Sequence, residues 1–189
     1  MSPFPALGLL MALAAHQPDA AELGPFRACL SLADDAEALE WCRRAAVESR
    51  PRSRASVALL VLGIRLGALG RWDEAVLAYR RRVELEPESG AAHRRLGEAL
   101  LNGTGEVAAA LAALDESVRL DPSDALAHGF RGVALNALGR HPEAVRAFED
   151  ALQTEPSYFT LRPAARRVLE ASQRGERWPP DAPGGGAER

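Results

Sequence analysis

The chain has 189 residues, 47% of them apolar and 26% charged, with a formal net charge of −3. That is length and apolar content for one domain or a short repeat array. It is far too little basic charge for electrostatic capture of nucleic acid. All 23 basic residues are Arg, and Ala, Leu, Arg and Glu, all strong helix formers, dominate. No stretch alternates with a two-residue period, which argues against a sheet.

Residues 1–18 open the chain with an apolar run ending before His16, too short to span a bilayer as a helix. It has the length of a signal-peptide core, and Ala12-Leu13-Ala14 supplies the small-x-small pattern of a cleavage site, yet no basic residue precedes it. Two readings stand: an export signal, which places the protein in an exported or periplasmic setting, or an apolar helix docked on the rest of a cytoplasmic chain.

Residues 19–52 read as a degenerate helical hairpin. Gly24-Pro25 opens its first helix, with Leu23, Phe26 and Leu30 on the apolar side, and Asp34-Asp35 marks the turn. The second helix carries Ala38, Leu39, Trp41, Cys42, Ala45 and Ala46. Arg50-Pro51 ends it, because Pro cannot continue a helix and pushes its predecessor towards extended geometry.

From residue 56 the chain repeats itself. Pro87, Pro122 and Pro156 recur at intervals of 35 and 34 residues, Gly63, Gly97 and Gly132 at 34 and 35, and Ala75, Ala110 and Ala144 at 35 and 34. The long interval changes place between the Gly and Ala series, so one extra residue lies between Gly97 and Ala110. Asn102-Gly103-Thr104-Gly105 is the turn-like stretch there, and the extra residue is expected in that inter-helix loop, where it disturbs no packing. A glycine inside a helix costs about 1 kcal/mol relative to Ala. Its return at one place in three copies predicts a close helix contact, with Gly63, Gly97 and Gly132 resting on Ala75, Ala110 and Ala144.

The three copies resemble tetratricopeptide repeats. The first reads Leu59-x-x-Leu62-Gly63-x-x-Leu66, then Ala75-x-x-x-Tyr79, then Pro87. The second reads His93-x-x-Leu96-Gly97-x-x-Leu100, Ala110-x-x-x-Leu114, Pro122, and the third His128-x-x-Arg131-Gly132-x-x-Leu135, Ala144-x-x-x-Phe148, Pro156. The repeats occupy 56–89, 90–124 and 125–158. Arg131 stands where Leu is usual, and Arg82 fills a normally small position; its stem is expected along the interface with its head in water. Residues 159–174 are expected to form a polar-backed capping helix, and 175–189, rich in Pro, Gly and charge, a disordered tail.

The resemblance implies an all-α fold, a right-handed superhelical stack of antiparallel helix pairs (an α-solenoid), that acts as a protein–protein interaction scaffold without enzymatic activity. It also implies a concave groove lined by the first helix of each repeat: Val57, Leu60 and Ile64, then Arg94, Arg95, Glu98 and Asn102, then Leu126, Phe130, Val133 and Asn136. The family's clamp for acidic chaperone tails needs Lys, Asn and Arg, and the corresponding positions here read Leu60, Ile64, Arg95, Leu126 and Phe130, so that function is not implied. The expected partner is an apolar or amphipathic segment with an acidic spot for Arg94 and Arg95. The helix from Ser56 to Leu69 is apolar nearly all round, which predicts cover on every side, by a partner or by the chain's own N-terminal residues.

Other chemistry finds little support. Cys29 and Cys42 fall on opposite arms of the hairpin, either as a structural disulfide in an oxidising compartment or as buried thiols in a reducing one. A thiol-redox role and an assembly or maturation factor are the remaining alternatives. His93 and His128 hold equivalent positions without a third ligand at metal spacing, so no metal is expected. No phosphate loop, dinucleotide fingerprint or hydrolase motif occurs, so no cofactor is implied.

Overall fold

The computed structural model describes residues 20–31, 35–49 and 52–178, and every regular element among them is helical. The apolar segment of residues 1–18, Asp34, the Arg50-Pro51 break and the tail from residue 179 lie outside the described residues. The chain forms two compact units, Met1–Leu62 and Gly63–Arg189, with the boundary inside one helix.

In the first unit, α1 (Ala20–Ser31) and α2 (Asp35–Glu48) pack as a hairpin. Gly24 breaks α1 at φ 69°, a left-handed conformation that suits glycine. The regular turns therefore start at Pro25, whose fixed φ fits a first helical position. Ala28, Cys29, Ala38, Leu39, Cys42 and Ala45 form the buried interior. Only Leu39 among them is large. Cys29 and Cys42 are joined by a disulfide, with Cα atoms 4.5 Å apart.

The helix α3 (Arg52–Ala68) crosses the boundary. The second unit continues with α4 (Trp72–Leu85), α5 (Gly90–Ala99), a π-helical turn (Leu100–Thr104), α6 (Val107–Leu120), α7 (Ala125–Ala137), α8 (His141–Thr154), α9 (Tyr158–Leu161) and α10 (Pro163–Gln173). Side chains cap two starts: Ser89 accepts from the Ala92 N–H, and Asp124 accepts from those of Leu126 and Ala127. After α7, Gly139 takes φ +75°, and backbone N–H groups of Gly139 and Arg140 return to the carbonyls of Asn136 and Leu135.

The second helices of the pairs, α2, α4, α6 and α8, are each 14 residues long. Their fourth residues, Ala38, Ala75, Ala110 and Ala144, are fully buried, and their eighth, Cys42, Tyr79, Leu114 and Phe148, are at most 4% exposed. The nearest atoms to the repeated glycine belong to the eighth position; the alanine expected there contributes at Gly97, where the Ala110 carbonyl would lie 3.2 Å from a Cβ. A Cβ on Gly63 would lie 2.5 Å from the Tyr79 ring, one on Gly97 would lie 2.6 Å from Leu114 Cγ, and one on Gly132 would lie 2.8 Å from Phe148 Cε2. Such distances are untenable for a real Cβ. In the hairpin the eighth position holds Cys42, and a disulfide to Cys29 replaces the glycine–large-residue contact.

The extra residue of the second repeat does not sit in a loop. It is taken up by the π-helical turn Leu100–Thr104, which prolongs α5 before Gly105 turns the chain at φ +67°. Nor is that turn free of packing: Gly103 lies directly on Trp72, and Gly67 approaches the other edge of the same indole. Arg82 departs from expectation too. The residue is only 9% exposed, its guanidinium lies 3.5 Å from Glu86, and burial lowers its pKa. Arg131, in place of the usual Leu, bonds Asp115 at 2.6 Å.

One interior cluster joins Leu111 and Leu114 to Ala134, Leu135, Ala144 and Ala147; the next joins Phe148 and Ala151 to Tyr158, Ala165 and Val168. The closing segment is two helices where one was expected, since Pro163 holds Arg162 out of the α region at ψ 72°. Its outer residues Arg166, Arg167 and Glu170 are exposed and its inner Val168 and Ala171 buried, a polar-backed cover for the repeat end.

Candidate protein-binding groove

The first helices supply the surface. On α3, Val57 and Ile64 are 41% and 45% exposed and Leu60 is half-buried; the covers that its composition predicts, a partner or residues 1–18, lie outside the described residues. Exposed apolar residues on a rigid helix are where a partner gains most from excluding water. Ile64 is one of the residues lining an open pocket of about 230 Å³. Gly63, Gly67 and Ala68 of α3, Trp72 and Tyr79 of α4, and Arg95, Glu98 and Ala99 of α5 form its walls. This volume fits one or two side chains, below the range of roughly 300–1,000 Å³ for small-molecule and cofactor sites.

Two glycines shape the pocket. Gly63 admits the Tyr79 ring and Gly67 admits Trp72. Burial raises the Tyr79 pKa to about 12, and the charges of Arg95 and Glu98 act on the phenol in opposite senses. The phenol is therefore neutral at physiological pH and serves as a wall, not a base.

The charges in the middle of the groove are already matched. Arg94 Nε donates to Asp124 Oδ2 at 2.6 Å, with both side chains at most 15% exposed, and Arg95 donates to Glu98 at 2.9 Å. Arg94 thus ties α5 to the start of α7, and an acidic spot on a partner would have to compete with these carboxylates. Asn102 is exposed on the π-helical turn.

The third-repeat residues are partly consumed by packing. Phe130 packs on the Leu111–Leu135 cluster, while Leu126 and Val133 pack on the Phe148–Tyr158 cluster. Asn136, expected in the groove, is instead fully buried: its Nδ2 donates to Ser172 Oγ and to the Glu176 carbonyl, and its Oδ1 accepts from the Trp178 N–H. Its spacing on α7 gave no sign of this, because the partners lie about 40 residues on.

His93 and His128 each use Nε2 to donate to a carbonyl, of Pro87 and Pro122 respectively, both at 2.9 Å. They brace equivalent loops. Among the described residues no group of three or more His, Cys, Asp or Glu is placed to hold a metal. The Cys29 and Cys42 residues are fully buried, whereas thiol-disulfide exchange needs an accessible sulfur. No helix among the described residues is long and apolar enough to cross a membrane.

A family model described as tetratricopeptide repeat matches residues 60–125 and 103–158, just over half of the chain. Two curated proteins named cytochrome c-type biogenesis protein CycH are similar. That of Rhizobium meliloti (strain 1021) is 33% identical over 90 residues, 47% of this chain and 24% of its own length. That of Bradyrhizobium diazoefficiens is 32% identical over 111 residues, 58% of this chain and 30% of its own. The matches thus span less than a third of the length of those relatives. Among solved structures, the "First TPR of Spaghetti (RPAP3) bound to HSP90 peptide SRMEEVD" is 25% identical with a TM-score of 0.56, covering 61% of this chain and 91% of that one. The "Crystal structure of MamA" is 22% identical with a TM-score of 0.60, covering 75% and 88%, and that likeness speaks for the fold alone.

Proposed function

The chain belongs to the tetratricopeptide repeat family, and from that premise we propose that it is a non-enzymatic scaffold holding a segment of another protein against its first helices, with one apolar side chain seated between Ile64 and Trp72. The observation that carries this is the open pocket with a half-exposed Ile64 on one wall and Trp72 on another. Because Arg94 and Arg95 are engaged by Asp124 and Glu98, apolar contact supplies the affinity and the rim charges set orientation. A displayed peptide library selected on the full chain tests it. Enriched peptides should share a bulky apolar residue and bind Ile64→Asp at least about tenfold more weakly, roughly 1.4 kcal/mol. Equal binding to both proteins would remove the pocket as the site.

A second reading, an assembly or maturation factor for c-type cytochromes, draws on the two similar biogenesis proteins. The buried disulfide supports an exported setting for it, since such bonds persist in oxidising compartments. On this reading the partner is a haem-free polypeptide bearing the C-x-x-C-H attachment motif. The immobilised chain should then retain apocytochrome c and not the folded holoprotein. Retention of neither, or of both alike, would discard it. N-terminal sequencing of the native protein, with a mature end just past Ala14, would establish export.

A further inference from the structure

The segment after α10 turns back onto α7. Gly175 takes φ +73°, the Glu176 N–H donates to the Ala171 carbonyl, and the next two residues reach Asn136. There the carboxamide makes a two-sided contact. Its Nδ2 donates to the Glu176 carbonyl at 2.7 Å and its Oδ1 accepts from the Trp178 N–H at 2.8 Å. The second proton of Nδ2 goes to Ser172 Oγ at 2.9 Å, and Ser172 in turn donates to the Val168 carbonyl.

A buried side-chain amide that pairs with the C=O of one residue and the N–H of the residue two further on reads main chain, whatever the side chains are. It does what one rung of a β-ladder does when a strand is added to a sheet edge. The side chains here agree. Glu176 and Arg177 are exposed, while Trp178 is half-buried and packs on the cluster that contains Tyr158 and Phe148, as Leu126 and Val133 of α7 also do. The seat therefore selects backbone at two residues and an aromatic ring at the second. Among the described residues, 176–178 carry this hold, and the sequence of the eleven that follow Trp178 contains no apolar side chain larger than Ala apart from proline rings.

We infer that Asn136 and the seat of Trp178 form a peptide-binding subsite for an extended segment of the form x-x-aromatic, filled in cis by residues 176–178 and open to exchange with such a segment on another chain. It lies on α7 and α10 and shares no residue with the pocket at Ile64 and Trp72, so either proposal can fail without the other.

The test uses the full chain and its Trp178→Ala variant, with a fluorescent peptide of the sequence of residues 174–181 as probe. The variant has an empty ring seat and should bind the peptide at least about tenfold more tightly than the wild type, whose seat is filled. A peptide with Ala in place of Trp should bind neither. Equal affinity for the two chains, or no binding to a variant whose circular dichroism matches the wild type, overturns the inference. Should the variant lose helicity, the wild type is used with a peptide carrying benzophenone at the aromatic position. Crosslinks to α7, to α10 or to the Phe148 and Tyr158 cluster between them support the site, and crosslinks elsewhere or none overturn it.

Discussion

Phe148 lies against Gly132 so closely that a Cβ on the glycine would stand 2.8 Å from the ring. Both residues are buried, and the ring is fully so. Replacing Gly132 by Leu forces α7 and α8 apart and should destabilise the second unit by roughly 1–3 kcal/mol. Chemical denaturation reads the change directly. An unaltered midpoint would mean that the glycine is not what sets the spacing.

The disulfide of the hairpin should carry a comparable share of its own unit. Cys29 and Cys42 are 13 residues apart, and closing a loop of that size stabilises by about 3 kcal/mol in the chain-entropy account. Among the described residues of the hairpin itself, Leu39 is the one large buried apolar side chain, so the packing between α1 and α2 compensates little. With both cysteines replaced by Ala, hydrogen exchange should show amides of α1 and α2 losing protection while those of α6 to α8 keep theirs. Loss of protection in both sets alike would contradict this.

Asp124 serves two masters, the Arg94 guanidinium and the N–H groups of Leu126 and Ala127. Its replacement by Ala leaves a buried cation unmatched and a helix start uncapped, which should cost roughly 3–5 kcal/mol. Arg94→Met, which leaves the cap intact and fills the same space with apolar atoms, should be far milder. The ordering of the two variants in a urea melt is the check; a reversed order would mean the pair is peripheral.

Alkali should weaken the fold through its two tyrosines. Burial raises Tyr79 and Tyr158 to about 12 in the native state, against about 10 for an unfolded chain. Between these values the unfolded state releases phenolic protons that the native state keeps, so stability is fully present below pH ~10 and falls as pH rises towards ~12. The loss is of the order of 2–3 kcal/mol per tyrosine. Because the chain has no other tyrosine, tyrosinate absorbance should stay silent near pH 10 until the protein unfolds. An ordinary titration at pH 10 in the folded state would refute it.

The repeat architecture was legible because it is written in spacing. Gly63, Gly97 and Gly132 return with Pro87, Pro122 and Pro156 at intervals that only a stack of like units produces. What spacing cannot carry is the identity of a contact. Ala75 and Tyr79 lie on one face of α4, one turn apart, and only coordinates tell that Gly63 meets the ring. An extra residue in a loop and an extra residue in a π-helical turn leave the same interval, so the sequence of Asn102–Gly105 reads as a loop although Leu100–Thr104 is helical. The candidate groove was less legible still. Arg94 finds Asp124 30 residues later, and Asn136 finds Glu176 and Trp178 about 40 residues later. A list of first-helix positions holds no information about such partners. Ile64 is readable as a groove position on a mostly apolar helix, where cover is expected; the pocket beside it needs Trp72 and its two flanking glycines.

The π-helical turn also bears on how such a chain can change length. The second repeat is one residue longer than its neighbours, yet Ala110 and Leu114 stay buried as Ala75 and Tyr79 do, and Leu114 meets Gly97 as Tyr79 meets Gly63. The surplus is spent in a wider coil at the end of α5, where Gly103 leaves room for the Trp72 indole, and nothing downstream is rephased. For the gene, then, helix ends of this kind are places where insertions are silent to the architecture, and a tally of residues per repeat can drift while the count of corners stays fixed.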